Sequence, residues 1–241
     1  MSSTFWCVWP RDVVSAVGPD ALTYLQSQVS QDLRGLAVGA SAYSLVLQPN
    51  GKVEALVRIL RTGDETFVLD TDPGAGEALL ARLNRFKIRV KVELAALDWQ
   101  CVAVRGVSEV EATDGVWQVA AWRSDVDLLG PAVTGPAGIR EGSSEELLAA
   151  RIEAAWPVAG VDYEVGAAIP ASLGVTAESV SFTKGCYPGQ ELVERMDSRG
   201  ADAPRALQTI DVPEGAAPGA DIDGATVTSV SGTRAIALVR R

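Results

Sequence analysis

Histidine is absent from the 241 residues. Imidazole is the usual general base near neutral pH and the commonest metal ligand, so Ser-His-Asp and Cys-His catalysis and His-ligated metals are excluded. Any chemistry has to come from carboxylates, a thiol, amines or a cofactor. Cysteine is scarce as well. Cys7, Cys101 and Cys186 are odd in number and share no Cys-x-x-Cys spacing, which argues against a disulfide scaffold or an all-thiolate zinc site and for reduced thiols in a reducing compartment. No apolar run approaches the roughly 18–20 residues that cross a bilayer, and Met1 to Val14 is too polar and Trp-rich for a secretory signal. The expectation is a cytoplasmic protein with no membrane partner and no bound metal. The sequence also lacks internal repeats and low-complexity tracts.

What is present supports a sizeable core. Hydrophobic residues make up 47% and charged residues 22%, enough for one large or two to three small domains and too apolar for a disordered chain. The 21 basic against 31 acidic residues give a net charge of −10. Such a surface opposes diffuse binding to phosphate polymers or anionic membranes, so direct nucleic-acid binding is not expected, and an anionic partner needs a local basic feature.

Gly18-Pro19-Asp20 precedes Leu22, Leu25 and Val29 at helical spacing, which predicts a short amphipathic helix with proline in its first turn. Ser41 to Leu47 and Val53 to Leu60 are β-rich runs joined by Gln48-Pro49-Asn50-Gly51, where Asn-Gly supplies the positive φ of a tight hairpin. A third strand is expected at Thr66 to Asp70, followed by a helix from Asp72-Pro73-Gly74 to about Phe86. From Arg85 to Val92 cations alternate with apolar residues. A period of two predicts a strand with Phe86, Ile88, Val90 and Val92 inward and a ribbon of four cations outward. That ribbon reads either as a solvated strand face that discourages edge pairing or as a receiver for an anionic ligand tail or nucleic acid. Strands are expected at Trp99 to Val104 and twice within Val116 to Leu129. A Gly/Pro-rich connection spans Gly130 to Gly142, and a serine-capped helix runs from Ser143 to about Trp156. Beyond Pro204, β runs at Leu207 to Val212, Ala225 to Ser229 and Arg234 to Val239 look like a small closing β module. The sum is an α+β chain with antiparallel sheets.

One stretch carries the specificity: Val180-Ser181-Phe182-Thr183-Lys184-Gly185-Cys186-Tyr187-Pro188-Gly189-Gln190-Glu191-Leu192-Val193-Glu194-Arg195. Gly185 and Gly189 bracket the thiol in a sharp turn, and Gln190 to Arg195 has helix-forming composition with Glu191 and Arg195 one turn apart. A cysteine before a helix N-terminus, with Lys184 close by and Arg195 within reach, sits in positive potential that favours thiolate; a buried structural cysteine in a glycine-shaped turn is the alternative.

Lys184 to Glu191 followed by Arg195 resembles the K-G-C-[FY]-x-G-Q-E-x-x-x-R signature of the YgfZ-type folate-binding proteins, relatives of the aminomethyltransferase of glycine cleavage and of mitochondrial iron–sulfur assembly factors. The likeness extends to Gly18-Pro19-Asp20-Ala21 with Tyr24-Leu25-Gln26 and Asp32, to Asn50-Gly51-Lys52, to Arg151-Ile152-Glu153 with Trp156-Pro157 and Gly160-Val161-Asp162, and to Ala237 to Arg240. It implies an aminomethyltransferase-like fold. Residues 1–203 would form a folate-binding region of two intertwined α+β subdomains split near residue 100, and residues 204–241 a C-terminal β-barrel. The signature cysteine would stand near the opening of a folate-sized cavity. It implies tetrahydrofolate or a one-carbon derivative as cofactor, with Arg151, Tyr187, Gln190, Glu191 and Arg195 binding it and Cys186, Lys184 and Glu54 carrying chemistry.

Transferase relatives carry an Asp-Asp pair after the hairpin glycine, where this chain has Glu54-Ala55. The loss of one carboxylate argues against efficient one-carbon transfer, which needs geometry held within about an ångström. The expected role is therefore an accessory one: assisting assembly or repair of iron–sulfur clusters, with iron–sulfur enzymes or assembly factors as partners, and through them tRNA modification. The alternatives are a folate-dependent aminomethyl or one-carbon transferase using Glu54, and a non-catalytic module whose basic ribbon docks tRNA or a protein.

Overall fold

Short β-rich runs separated by glycine turns assemble into three sheets in a computed structural model that describes residues 4–198 and 203–240. The first sheet contains β2 (Asp12–Val17), β3 (Ser41–Leu47), β4 (Val53–Gly63), β5 (Thr66–Thr71) and β6 (Glu93–Leu97) in the order β3-β4-β5-β2-β6, all antiparallel. Along β4 the side chains alternate: Ala55, Val57 and Ile59 pack against α1 (Ala21–Gln28) and α2 (Gly76–Phe86), while Leu56 and Leu60 face the rest of the molecule. Leu25, Leu69 and Leu83 on the helical side are fully buried, each contributing about 1.5–3 kcal/mol of hydrophobic stabilisation.

The second sheet has the order β10-β1-β7-β9-β8 and joins β1 (Phe5–Val8), β7 (Gln100–Arg105), β8 (Trp117–Ala120), β9 (Val126–Gly130) and the two-residue β10 (Arg140–Glu141). Consecutive β1 and β2 thus lie in different sheets. Trp9-Pro10-Arg11 makes the crossing, with Pro10, which has no N–H to leave unpaired, between the two ladders. A buried ionic network spans the junction. Arg58 holds Asp70 at 2.8 Å and Asp127 at 2.6 Å, Arg105 holds Asp127 at 2.7 Å, and Arg11 reaches Asp70 at 2.8 Å and Asp72 at 2.5 Å. Cations and carboxylates balance there, as burial of charge requires.

The helix α3 (Ser144–Glu153) starts with a full capping box, Ser143 with Glu146. Short helices α4 (Pro170–Leu173) and α5 (Thr176–Ser179) follow, then α6 (Gln190–Ser198). The third sheet, β11 (Arg205–Asp211), β12 (Asp221–Ile222), β13 (Ala225–Ser231) and β14 (Arg234–Arg240), is antiparallel in the order β11-β14-β13-β12, an open half-barrel with α3 packed on β13 and β14.

The alternating segment Arg85 to Val92 departs from expectation. It is not a strand: α2 runs on to Phe86, and a turn then carries the chain to β6. Val92 is buried, but Ile88 is 71% exposed, and Arg89 takes φ 57°. The helix claimed Phe86 first, because Leu79, Leu83 and Phe86 repeat at three to four residues, and a period of two over a few residues is a weaker signal than a helix already propagating. Helix α2 also begins later than Asp72. Its start is fixed by Asp12, whose carboxylate accepts from the amides of Gly74 and Gly76. Similarly, Pro19 stands before α1 rather than within its first turn.

Candidate functional site

The glycine-framed segment is locked to the hairpin between β3 and β4. Gly51, at φ +84°, closes that hairpin, with its amide donating to the Gln48 carbonyl at 2.8 Å. A Cβ on Gly51 would stand 2.5 Å from Leu192 of α6, and one on Gly189, at φ +81°, would stand 2.6 Å from the Gln48 carbonyl oxygen and 3.0 Å from the Gly51 Cα. Gly189 therefore permits backbone-to-backbone contact with the hairpin, and Gly51 leaves room for the Leu192 side chain; a side chain at either would block the fit. Gly185 is different, with nothing within 4 Å of its would-be Cβ. Tyr187 anchors the turn by burying its ring, Gln190 Oε1 accepts from the Tyr187 amide at 3.3 Å, and the Gln190 side-chain amide donates to Glu194. Cys186 is left exposed, whereas Cys7 and Cys101 are buried.

Lys184 does not stand beside the thiol. Its ammonium turns inward and donates to the carbonyls of Gln26 (2.7 Å), Val29 (2.5 Å) and Gln31 (2.9 Å), and lies 5.2 Å from the centre of the Tyr187 ring. These carbonyls end α1 and continue just past it, so the lysine caps the negative end of that helix. Burial pulls its pKa down to about 8. Glu191 and Arg195 both lie on the exposed side of α6, but no ion pair forms between them. Glu54, expected to serve as an acid, is held by Arg82 Nε at 2.6 Å; the same arginine binds Gln28 Oε1 and the Leu47 carbonyl and lies 3.8 Å above the Phe86 ring. Arg151 is buried, with Nη1 on Asp162 at 2.5 Å and on the Trp156 carbonyl at 2.8 Å, and Nη2 on Ser229 at 2.5 Å. Its guanidinium fastens α3 to the half-barrel instead of standing open to a ligand tail. The structure thus gathers Lys184, Cys186, Tyr187, Gln190, Glu191 and Arg195 on one locked loop and helix, and places Glu54 and Arg151 elsewhere.

Four aromatic residues define the interior, of which the sequence analysis singled out neither Trp9 nor Trp122. Trp9 and Trp122 meet edge to face at 4.7 Å, and Trp122 lies 6.0 Å from Trp156, which packs on Tyr43 at 4.5 Å. A cavity of about 470 Å³ opens beside Trp9 and Trp122, walled by Leu147, Leu148 and Val158 and given polar edges by Ser144, Arg151, Thr228 and Ser229. It sits where the β1–β2 crossing, α3 and the half-barrel converge. Cys186 does not line it. One sequence signal pointed to this interior: Arg58, a charge in the middle of the apolar run Val53 to Leu60.

The arrangement defines a class first. The solved aminomethyltransferase T of the glycine cleavage system from Bartonella henselae superposes with a TM-score of 0.72 over 99% of this chain and 79% of that one, at 16% identity, so the fold is shared. Residues 12–118 match the family model described as the GCVT N-terminal domain. An uncharacterized protein from Haemophilus influenzae is 30% identical over 83% of this chain and 71% of its own length. The tRNA-modifying protein YgfZ of Klebsiella pneumoniae is 28% identical over 84% and 69%, and the mitochondrial iron–sulfur cluster assembly factor IBA57 homolog of Neurospora crassa is 26% identical over 89% and 55%. The chain therefore spans about half to seven-tenths of the length of these relatives. It belongs to the YgfZ-type branch of the GcvT-like proteins.

Proposed function

We propose that this protein is a tetrahydrofolate-binding accessory factor of the cytoplasm that assists assembly or repair of iron–sulfur clusters and, through them, tRNA-modifying enzymes, with Cys186 as the working thiol. The observation that carries the proposal is the single exposed cysteine on a loop interlocked with the Gly51 hairpin. A thiol displayed on a rigid loop is placed to meet a partner protein. The names of the YgfZ and IBA57 relatives support the iron–sulfur and tRNA-modification assignment. Three cysteines cannot supply the usual four thiolates of a cluster, so a cluster is cargo whose remaining ligands come from the partner.

The cavity beside Trp9 and Trp122 suits a reduced pterin. Its volume falls in the ligand-site range, the edges of two indoles line it, and Ser144 offers a hydroxyl to an amide edge. Bound folate would supply a one-carbon carrier, and the lining of the cavity would orient its ring. Calorimetric titration with tetrahydrofolate and its formyl and methylene forms tests this part, with micromolar binding expected and weakened at least tenfold by Trp9→Leu. Genetic complementation of a strain lacking the protein tests the thiol: Cys186→Ser is expected to abolish rescue while folate binding persists, and rescue by the serine variant would remove Cys186 from the function. The transferase reading is less well supported, because Glu54 is bound to Arg82 and does not line the cavity. Tetrahydrofolate-dependent turnover of an aminomethyl donor that is lost in Glu54→Gln would restore it.

A further inference from the structure

From Ala78 to Val92 the chain carries five cations and no acidic residue, on a protein of net charge −10. Arg82 is engaged internally with Glu54. Arg85, Lys87, Arg89 and Lys91 form no ion pair among the described residues, whereas nine other arginines do. The segment that holds them is a built knob. At one end Phe86 closes α2 beneath Arg82; at the other the Lys91 amide donates to Asp20 at 2.7 Å, and the Lys91 carbonyl oxygen lies 2.2 Å from where Gly18 would carry a Cβ. Between these clamps Arg89 sits at φ 57°, a conformation that costs a non-glycine residue energy and is kept only where the surroundings impose it. Asp20 and Glu93 are acidic neighbours at one end, while Arg85, Arg89 and Lys91 are exposed and Lys87 half-buried.

We propose that residues 85–91 are a docking surface for the phosphate backbone of a nucleic-acid strand. The knob is dense in cations and poor in apolar surface, with Ile88 alone strongly exposed. Protein interfaces have the opposite make-up, an apolar centre depleted in charge, whereas phosphate binding needs unpaired Lys and Arg. Lys91 abuts the start of α1, and the buried Lys184 ties the loop of Cys186 to its end, eight residues and therefore about 12 Å away. Lys52 on the hairpin and Arg195 on the helix packed against it form no ion pair among the described residues. A strand docked at residues 85–91 is therefore within reach of the loop of Cys186, and in this respect the inference rests on the proposed function.

Fluorescence anisotropy with labelled unmodified tRNA transcript and with single-stranded DNA of equal length tests the docking surface. With four phosphates neutralised, the expected slope of log K against log salt is about −2.8, so affinity falls about 50-fold between 50 and 200 mM salt. Lys87→Glu with Arg89→Glu is expected to weaken binding at least tenfold at 50 mM salt while leaving the melting temperature and tetrahydrofolate titration unchanged. Equal affinity for DNA supports backbone recognition, and preference for tRNA supports it with a contribution from the 2′-hydroxyl. Absence of binding at 100 μM protein, insensitivity to the double substitution, or equally effective competition by poly-glutamate overturns the inference. Bound tRNA is also expected to slow alkylation of Cys186 by iodoacetamide; unchanged alkylation refutes the reach to the thiol while leaving the folate reading untouched.

Discussion

The two glycines that frame Cys186 look equivalent in the sequence and are not equivalent in the structure, which gives a sharp comparison. Gly189→Ala places a methyl group 2.6 Å from the Gln48 carbonyl oxygen, 2.9 Å from the Leu47 Cβ and 3.0 Å from the Gly51 Cα, at a backbone φ of +81°. The left-handed conformation costs an L-residue about 1–2 kcal/mol. The clash adds about 1–3 kcal/mol, because two of the atoms met are backbone and cannot rotate away. The expected destabilisation is about 2–5 kcal/mol, or about 4–20 °C in melting temperature at about 2–4 °C per kcal/mol for a chain of this size. Gly185→Ala meets nothing within 4 Å and has no positive φ, so its change stays within about 0.5 kcal/mol. Both variants keep Cys186 and every charged side chain. Differential scanning fluorimetry of the pair, with complementation alongside, is the assay. Gly189→Ala is expected to melt early and fail to rescue, and Gly185→Ala to match wild type. If the two variants melt together, the interlock between the signature turn and the Gly51 hairpin is wrong, and with it the reason for a fixed thiol.

Three further outcomes follow from the same geometry. Lys184→Met leaves three carbonyls at the end of α1 without their donor, and about 1–3 kcal/mol of stability should be lost in urea unfolding; a neutral result would mean that water satisfies those carbonyls. Iodoacetamide should label native protein at one thiol, Cys186, with Cys7 and Cys101 reacting only after unfolding; peptide mapping by mass spectrometry reads the sites. Asp70 sets a pH dependence. Burial alone would raise its carboxyl, but Arg58 and Arg11 outweigh burial and hold it below the usual carboxylate range. Its folded pKa is below its unfolded value, so the stabilisation is complete above about pH 4 and is lost as pH falls toward the folded value. Asp70→Asn should therefore melt lower at pH 7 and show a shallower decline below pH 4; parallel curves for the two proteins would remove Asp70 from the acid response.

Local chemistry made much of the fold legible. Asn50-Gly51 marked the hairpin, Ser143 with Glu146 marked the start of α3, and the glycine-punctuated runs after Pro204 marked the closing sheet. What stayed hidden depends on long-range partners. β1 and β2 are short and interrupted by Trp9-Pro10-Arg11, and only the structure shows that they serve two different sheets. The basic segment misled because a period of two was read where helix α2 had not yet ended.

The candidate site shows the same division between near and distant information. Sequence proximity put Lys184 next to Cys186, yet a lysine two residues from a thiol has reach enough to turn the opposite way, and three carbonyls at a helix end outcompete one sulfur for its ammonium. Arg151 was read as open to a ligand, but a buried arginine needs a carboxylate, and Asp162, eleven residues on, supplies it at 2.5 Å. The motif's fixed elements are therefore mechanical: Lys184 ties the turn to α1, Gly189 lets it touch the hairpin, Tyr187 buries its centre, and Cys186 is what remains outside. On this reasoning a conservative change at Lys184 should impair rescue in proportion to its effect on loop position. Lys184→Arg, which keeps the charge but replaces a compact ammonium with a planar fork that cannot sit among three converging carbonyls, is expected to lose most of the stability that Lys184→Met loses; recovery of wild-type melting by arginine would show that charge alone, and not the carbonyl cage, holds the turn.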